Sequence, residues 1–165
     1  MKHKAVYAGS FDPITNGHVD IVRRGLGVFD QIVVAVAHNP AKDTSLFTPS
    51  ERVTMIRESL GDLGERVSAD TFTGLLVEYC DRVHATAIIR GLRAVSDFEY
   101  EFQMAMMNRH LNARVETYFM TASESYFYTA SRLVKEVAGL GGDVSALVPP
   151  VVHRALVDRF RLPPR

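Results

Sequence analysis

The stretch Ala8-Gly9-Ser10-Phe11-Asp12-Pro13-Ile14-Thr15-Asn16-Gly17-His18 decides how this chain is read. It follows the apolar run Ala5-Val6-Tyr7-Ala8 and opens a helical pattern, Val19-Asp20-Ile21-Val22. A glycine-punctuated turn between a first strand and a first helix is where α/β proteins bind phosphates. The helix N-terminus presents free N–H groups there, and the positive end of the helix dipole. The turn has neither the G-x-x-x-x-G-K-[ST] nor the G-x-G-x-x-G spacing of the two commonest phosphate loops. It ends instead in Thr15-Asn16-Gly17-His18, which sets an imidazole in the first turn of the helix.

Outward from that turn, strand and helix patterns alternate. Residues 17–25 read as a helix, and the continuous apolar run 32–37 as a parallel strand covered on both faces. Thr48-Pro49-Ser50-Glu51 has the cap, proline and acid of a helix start. A weak strand is expected at 66–70, then a helix holding Leu75, Leu76, Tyr79 and Cys80, then a short strand at 87–89. Asp97 is expected to cap a long helix over 98–111, followed by a strand at 115–119 and helices over 131–138 and 151–160. Repeated β–α units predict an α/β, Rossmann-like, doubly wound fold. Its core would be a five-stranded parallel sheet with helices on both faces, in one domain over residues 1–165.

Ligands in such a fold sit beyond the carboxyl ends of the strands. Each candidate site residue follows a strand: Ser10 and His18 the first, Lys42 the second, Leu75 the third, Arg90 and Arg93 the fourth. The fifth leads to Thr129-Ala130-Ser131-Arg132. A lysine and two arginines converging on the His18 turn suit a polyphosphate, since Arg clamps oxygens bidentately and Lys acts as a movable point charge.

Composition narrows the classes. The 165 residues hold 19 Lys and Arg against 19 Asp and Glu, so no global charge argues for nucleic acid or an anionic membrane. Any anion site must be a local cluster. One cysteine, Cys80, excludes an internal disulfide and fits a reducing, cytoplasmic setting. No apolar run approaches the ~20 residues of a membrane span. The N-terminus lacks the apolar core of a signal peptide.

Two longer blocks make a resemblance specific. They are Ile89-Arg90-Gly91-Leu92-Arg93-Ala94-Val95-Ser96-Asp97-Phe98-Glu99-Tyr100-Glu101 and Met107-Asn108-Arg109-His110. With Thr15-Asn16-Gly17-His18, which resembles the T/H-x-G-H signature of Rossmann-like nucleotidyltransferases, the chain resembles the bacterial phosphopantetheine adenylyltransferases from about residue 4 to residue 160. The resemblance implies adenylyl transfer from ATP to 4′-phosphopantetheine, giving dephospho-coenzyme A and pyrophosphate, without a covalent enzyme intermediate. It implies His18, Lys42 and Arg90 as the catalytic group. His18 meets the α-phosphate, Lys42 orients the attacking phosphate, and Arg90 faces the phosphates. Ser10, Phe11, Gly91, Arg93 and Glu101 join His18 and Arg90 on the ATP side. Leu75, Leu76, Met104 and Asn108, with Ser10, Lys42 and Arg90, take the acceptor. Mg²⁺ would travel with the ATP, with no carboxylate cage of its own. Coenzyme A becomes a candidate feedback ligand, and a homohexamer the expected assembly.

Each of these residues also has an ordinary reading. His18 could be a cap-region residue and Lys42 a solvated charge. Arg90 and Arg93 could pair with Asp97 or Glu99, and Cys80 could be a packed small hydrophobe. Two other functions stay open: an adenylyltransferase for another phosphate, such as nicotinamide mononucleotide or glycerol phosphate, and a nucleotide-binding module without turnover. The Met-rich surroundings of Met104 favour a flexible arm. The joint presence of His18, Lys42 and Arg90 favours catalysis.

Two features need the structure. Residues 98–111 are apolar on two sides, Phe98, Phe102 and Ala105 on one and Tyr100, Met104, Met107 and Leu111 on the other. Such a helix is either a core helix or one shared between the substrate arm and another subunit. The second feature is a departure from the family pattern, as is Ala8 where proline is common. Ala130 and Arg132 stand where the relatives often carry serines. The expectation is that backbone N–H groups at Ala130, Ser131 and Arg132 hold the ATP phosphates, with the Arg132 charge adding to them.

Overall fold

Val6 lies in parallel register with Val33 on one side and Ile88 on the other, which puts the first strand at the centre of the sheet. The computed structural model describes residues 3–41, 44–93, 95–127 and 129–160. The strands are β1 (Lys4–Gly9), β2 (Gln31–Ala37), β3 (Val67–Phe72), β4 (Ala87–Leu92) and β5 (Glu116–Thr121). All pair in parallel, in the order β3-β2-β1-β4-β5. The helices are α1 (Asn16–Gly25), α2 (Pro49–Ser59), α3 (Leu76–Arg82), α4 (Val95–Leu111), α5 (Ser131–Gly139) and α6 (Pro150–Phe160).

The period-two alternation of a strand divides the core in two. Ala5 and Tyr7 face one way, with Ile32, Val34, Val36 and Ile89, into a core closed by Ile21 and Val22 of α1, Ile56 of α2, Val134 of α5 and Leu156 of α6. Val6 and Ala8 face the other way, with Val33, Ala35 and Ile88, against Val77, Tyr79 and Cys80 of α3. The apolar runs of β1 and β2 are continuous because both faces of these strands are covered. The doubly wound sheet read from the sequence is the sheet observed.

Local signals account for the helix starts. Thr48 Oγ1 accepts the Glu51 N–H at 3.2 Å and Glu51 Oε2 accepts the Thr48 N–H at 2.7 Å, a complete capping box with Pro49 at the first position. Asp97 is not the cap of α4. The helix is already formed at Val95, so Asp97 falls in its first turn, where an acid suits the dipole. The long helix is not a core helix either, since Phe98, Tyr100, Phe102, Met104, Met106, Met107 and Leu111 are all exposed in the single chain. Strand β4 runs three residues further than its apolar run and carries Arg90 and Gly91 on its carboxyl end.

Candidate active site

The site begins where two central strands part. β1 pairs with β2 through Gly9, but its pairing with β4 stops at Tyr7 and Ile89. This is the point where strand order reverses across the sheet, and a crevice opens there in doubly wound folds. Arg90 bridges the parting strands, its Nη1 donating to the Ala8 carbonyl at 2.7 Å. Beyond it lies a cleft of about 400 Å³ lined by residues of β1, the β1–α1 turn, β4, α4 and the segment before α5.

Thr15 and His18 form the floor of that turn. Thr15 Oγ1 accepts the His18 N–H at 3.4 Å, and His18 Nδ1 accepts the Thr15 N–H at 3.0 Å, with the Thr15 hydroxyl a further 3.1 Å away. This is the capping box of α2 repeated with an imidazole in place of the glutamate. With Nδ1 accepting, the neutral ring carries its proton on Nε2. Part of the ring is open to the cleft, but protein atoms crowd the rest. Phe11 stands edge-on at 5.0 Å and Tyr7 lies 6.2 Å away between ring centres. Burial, with the Arg93 charge as a smaller contribution, pushes the His18 pKa down to about 4. His18 is therefore a neutral donor at physiological pH, one that an anion in the cleft makes more basic.

Phe11 is held in a left-handed backbone conformation, φ +44°. Such a conformation costs about 1–3 kcal/mol and persists only when the surroundings fix it. Here the ring is buried between Tyr7 and His18, and it lies so close over Gly9 that a Cβ there would come within 3.3 Å. Gly91 is tight for a similar reason, since a Cβ would stand 2.6 Å from Ile21 Cδ1 and 3.4 Å from the Tyr7 hydroxyl. Burial raises the Tyr7 phenol above its ordinary range, so it stays protonated.

The arginines divide their work. Arg90 takes Glu101 as its partner, an acid beyond the ones its spacing first suggests. Its Nε and Nη2 meet the two Glu101 oxygens at 2.7 and 2.6 Å, one helical turn and a half into α4. That bond, more than any other influence, raises the Arg90 pKa. Arg93 is exposed at the cleft edge and, among the described residues, has no hydrogen-bond or ion-pair partner. Arg90 is thus a pinned guanidinium with two N–H groups to spare, and Arg93 an uncommitted cation.

Of the residues picked out from sequence, Ser10, Phe11, His18, Arg90, Gly91, Arg93 and Glu101 line this cleft together. Leu75, Leu76, Met104 and Asn108 do not. A second hollow, of about 490 Å³, lies beyond β2 and β3 between residues 37–40 and 72–74, next to Leu75 in the chain. Lys42 lies outside the described residues. Ala130, Ser131 and Arg132 are not in the cleft wall. The Ser131 hydroxyl is spent on the Pro13 carbonyl at 2.8 Å. The Arg132 side chain is 89% exposed and pairs with Glu136 at 3.0 Å one turn along α5. Position 132 follows the first helical residue on the outer side, so the charge finds its acid before it finds the cleft.

Sequence reading gave no site role to Tyr7, Tyr100 and Tyr126, all of which line the cleft. Tyr7 was hidden in an apolar strand pattern. Its one signal was a polar tip at the carboxyl end of a strand, where ligands bind. Among the described residues no three His, Cys, Asp or Glu side chains gather as a metal site. Glu101, the acid in the cleft wall, is occupied by Arg90.

Known proteins share this arrangement of sequence and fold. Residues 6–136 match the cytidylyltransferase-like family. The chain is 56% identical over 164 residues to the phosphopantetheine adenylyltransferase of Syntrophotalea carbinolica, covering 99% of this chain and 98% of that one. To the phosphopantetheine adenylyltransferase of Geotalea daltonii it is 58% identical over 156 residues, 94% and 96% of the two chains. A solved structure from Vibrio parahaemolyticus, provisionally named a nicotinate-nucleotide adenylyltransferase, superposes with a TM-score of 0.70 over 95% of this chain and 99% of its own. At 18% identity that likeness concerns the fold alone.

Proposed function

The chain belongs to the phosphopantetheine adenylyltransferases within the cytidylyltransferase-like family, and from that membership we propose how its residues perform the reaction. The enzyme transfers the adenylyl group of ATP to 4′-phosphopantetheine, giving dephospho-coenzyme A and pyrophosphate, a step of coenzyme A biosynthesis. An oxygen of the acceptor phosphate attacks the α-phosphorus. The bond from that phosphorus to the bridging oxygen breaks, and pyrophosphate leaves with its electron pair. The nucleophile is already ionised, so no general base is needed. Positioning and charge stabilisation carry the catalysis.

The observation that carries this reading is the neutral His18, its Nδ1 closed by the Thr15 N–H and its Nε2–H left to donate in the cleft. In our reading that donor meets the α-phosphate as charge builds on it, beside the N-terminus of α1. Ser10 and the spare Arg90 N–H groups face the phosphates, and Arg93 neutralises the leaving pyrophosphate. Gly91 and Tyr126 border the nucleotide. Lys42 orients the acceptor phosphate, with the hollow beyond β2 and β3 and the Leu75, Leu76, Met104 and Asn108 side as the path of the pantetheine arm. Mg²⁺ enters as part of the MgATP substrate, coordinated by phosphate oxygens. Coenzyme A, which carries the same arm, competes for that path.

The exposed apolar faces of α4 support a homo-oligomer, which we take to be a hexamer. Among the described residues no helix is long and apolar enough to cross a membrane. We place the enzyme in the cytoplasm, a setting that its single cysteine fits.

Pyrophosphate release from ATP across a panel of phosphate acceptors tests the reading. The expected result is turnover with 4′-phosphopantetheine and little with nicotinamide mononucleotide or glycerol phosphate. Lys42→Ala should raise KM for the acceptor and leave KM for ATP nearly unchanged. Weakened ATP binding instead would reverse the two anion sites.

A further inference from the structure

Asp12 lies in the β1–α1 turn, yet its side chain turns away from the cleft. Its carboxylate is buried, with Oδ1 accepting the Phe47 N–H at 2.9 Å and Oδ2 accepting the Leu46 N–H at 2.9 Å and the Lys135 ammonium at 2.6 Å. The donors come from two different segments. Leu46 and Phe47 end the loop between β2 and α2, and in the sequence they follow Lys42 by four and five positions. Lys135 lies in α5, whose first residue, Ser131, is already tied to the Pro13 carbonyl. On its own segment, Asp12 precedes by three positions the Thr15 whose N–H fixes His18.

A buried carboxylate is a costly way to hold a fold together. Replacing a buried ion pair with packed apolar groups is often neutral or stabilising. What a carboxylate offers is direction: two oxygens that fix three donors in angle as well as distance. The β2–α2 loop is tied at its start by the His38 N–H on the Phe72 carbonyl, 2.9 Å, and its far end is aimed by Asp12. The buried Phe47 ring keeps that end near the core, but a ring does not set the orientation of two consecutive amides.

We propose that Asp12 is a positioning residue for adenylyl transfer, setting the acceptor-side loop against the His18 turn so that the two phosphates meet in line. This rests on the function assigned above. A displacement of about 1 Å can cost on the order of 10² in rate, so the anchor matters without touching substrate.

The Asp12→Asn variant keeps the shape. Its amide oxygen still accepts the Phe47 N–H, while its NH₂ confronts the Leu46 N–H and the Lys135 ammonium, both donors. The expected result is a loss of about 10²-fold in kcat/KM for 4′-phosphopantetheine with KM for ATP within about threefold. Hydrogen exchange should accelerate at the Leu46 amide and stay slow at Phe47. Should the stranded ammonium prevent folding, Asp12→Asn combined with Lys135→Met removes it and should keep the same acceptor-side loss. A folded single or double variant with kcat/KM for the acceptor within about threefold of wild type overturns the proposal, as does a KM for ATP raised well beyond threefold. If the wild-type enzyme releases no pyrophosphate with 4′-phosphopantetheine, the functional reading falls and the proposal with it. A normal wild type beside an unaffected variant sinks the proposal alone.

Discussion

Arg90 and Glu101 meet fork to fork, two N–H···O bonds of 2.7 and 2.6 Å joining the end of β4 to α4. Three of the five Arg90 donors are thereby taken, counting the bond to the Ala8 carbonyl. The pair aims the remaining two and also fixes α4 against the sheet edge of the cleft.

Arg90→Lys should therefore fail as a conservative change. A lysine keeps the charge but cannot span Glu101 and Ala8 at once. The expected loss in kcat/KM for ATP is on the order of 10-fold to 10²-fold, following the ~1.5–3 kcal/mol of a charge-assisted hydrogen bond. Glu101→Gln should lose less, because one oxygen still orients the guanidinium. Steady-state pyrophosphate release ranks the two, and equal activity of Arg90→Lys and wild type would remove Arg90 from the reaction.

His18→Ala should lower kcat by roughly 10²–10³ and leave KM for ATP close to wild type. The imidazole donor matters most when charge accumulates on the α-phosphate oxygens. A variant with near-normal turnover would reduce His18 to a capping residue of α1.

Stability should carry a mark of the same residue. The folded pKa of His18 is about 4 against an ordinary value of 6.5, so the unfolded chain binds the extra proton first. The His18 contribution is complete above pH 6.5 and is lost progressively as pH falls from there to about 4, levelling below. Urea midpoints at neutral pH and across this window test it. His18→Gln, whose amide oxygen can accept the same Thr15 N–H, should show a shallower acid decline, and an unchanged slope would contradict the buried neutral imidazole.

Arg132→Ala should leave KM for ATP within about twofold at low and at high salt, since an exposed pair such as Arg132–Glu136 contributes only about 0–1 kcal/mol. Ala130→Ser should also change little. A salt-sensitive loss of ATP affinity in Arg132→Ala would mean that the side chain leaves Glu136 for the phosphates once ATP binds.

A local pattern suffices for much of this enzyme. Continuous apolar runs marked buried parallel strands, Thr48-Pro49-Ser50-Glu51 marked the start of α2, and the order of turns placed Ser10, His18, Arg90 and Arg93 at one end of the sheet. These are properties of neighbours along the chain, where backbone periodicity and capping act. The tertiary structure alone decided the partners. Glu101 meets Arg90, because β4 runs three residues past its apolar run and α4 begins at Val95. Tyr7 proved to be a cleft residue because β1 and β4 part just beyond it. Arg132 is the exception, since its partner Glu136 lies one helical turn away, a local pairing that the sequence itself carries. Asp12 found its donors 34, 35 and 123 positions away. Such pairings depend on distances across the sheet that no short stretch of sequence encodes.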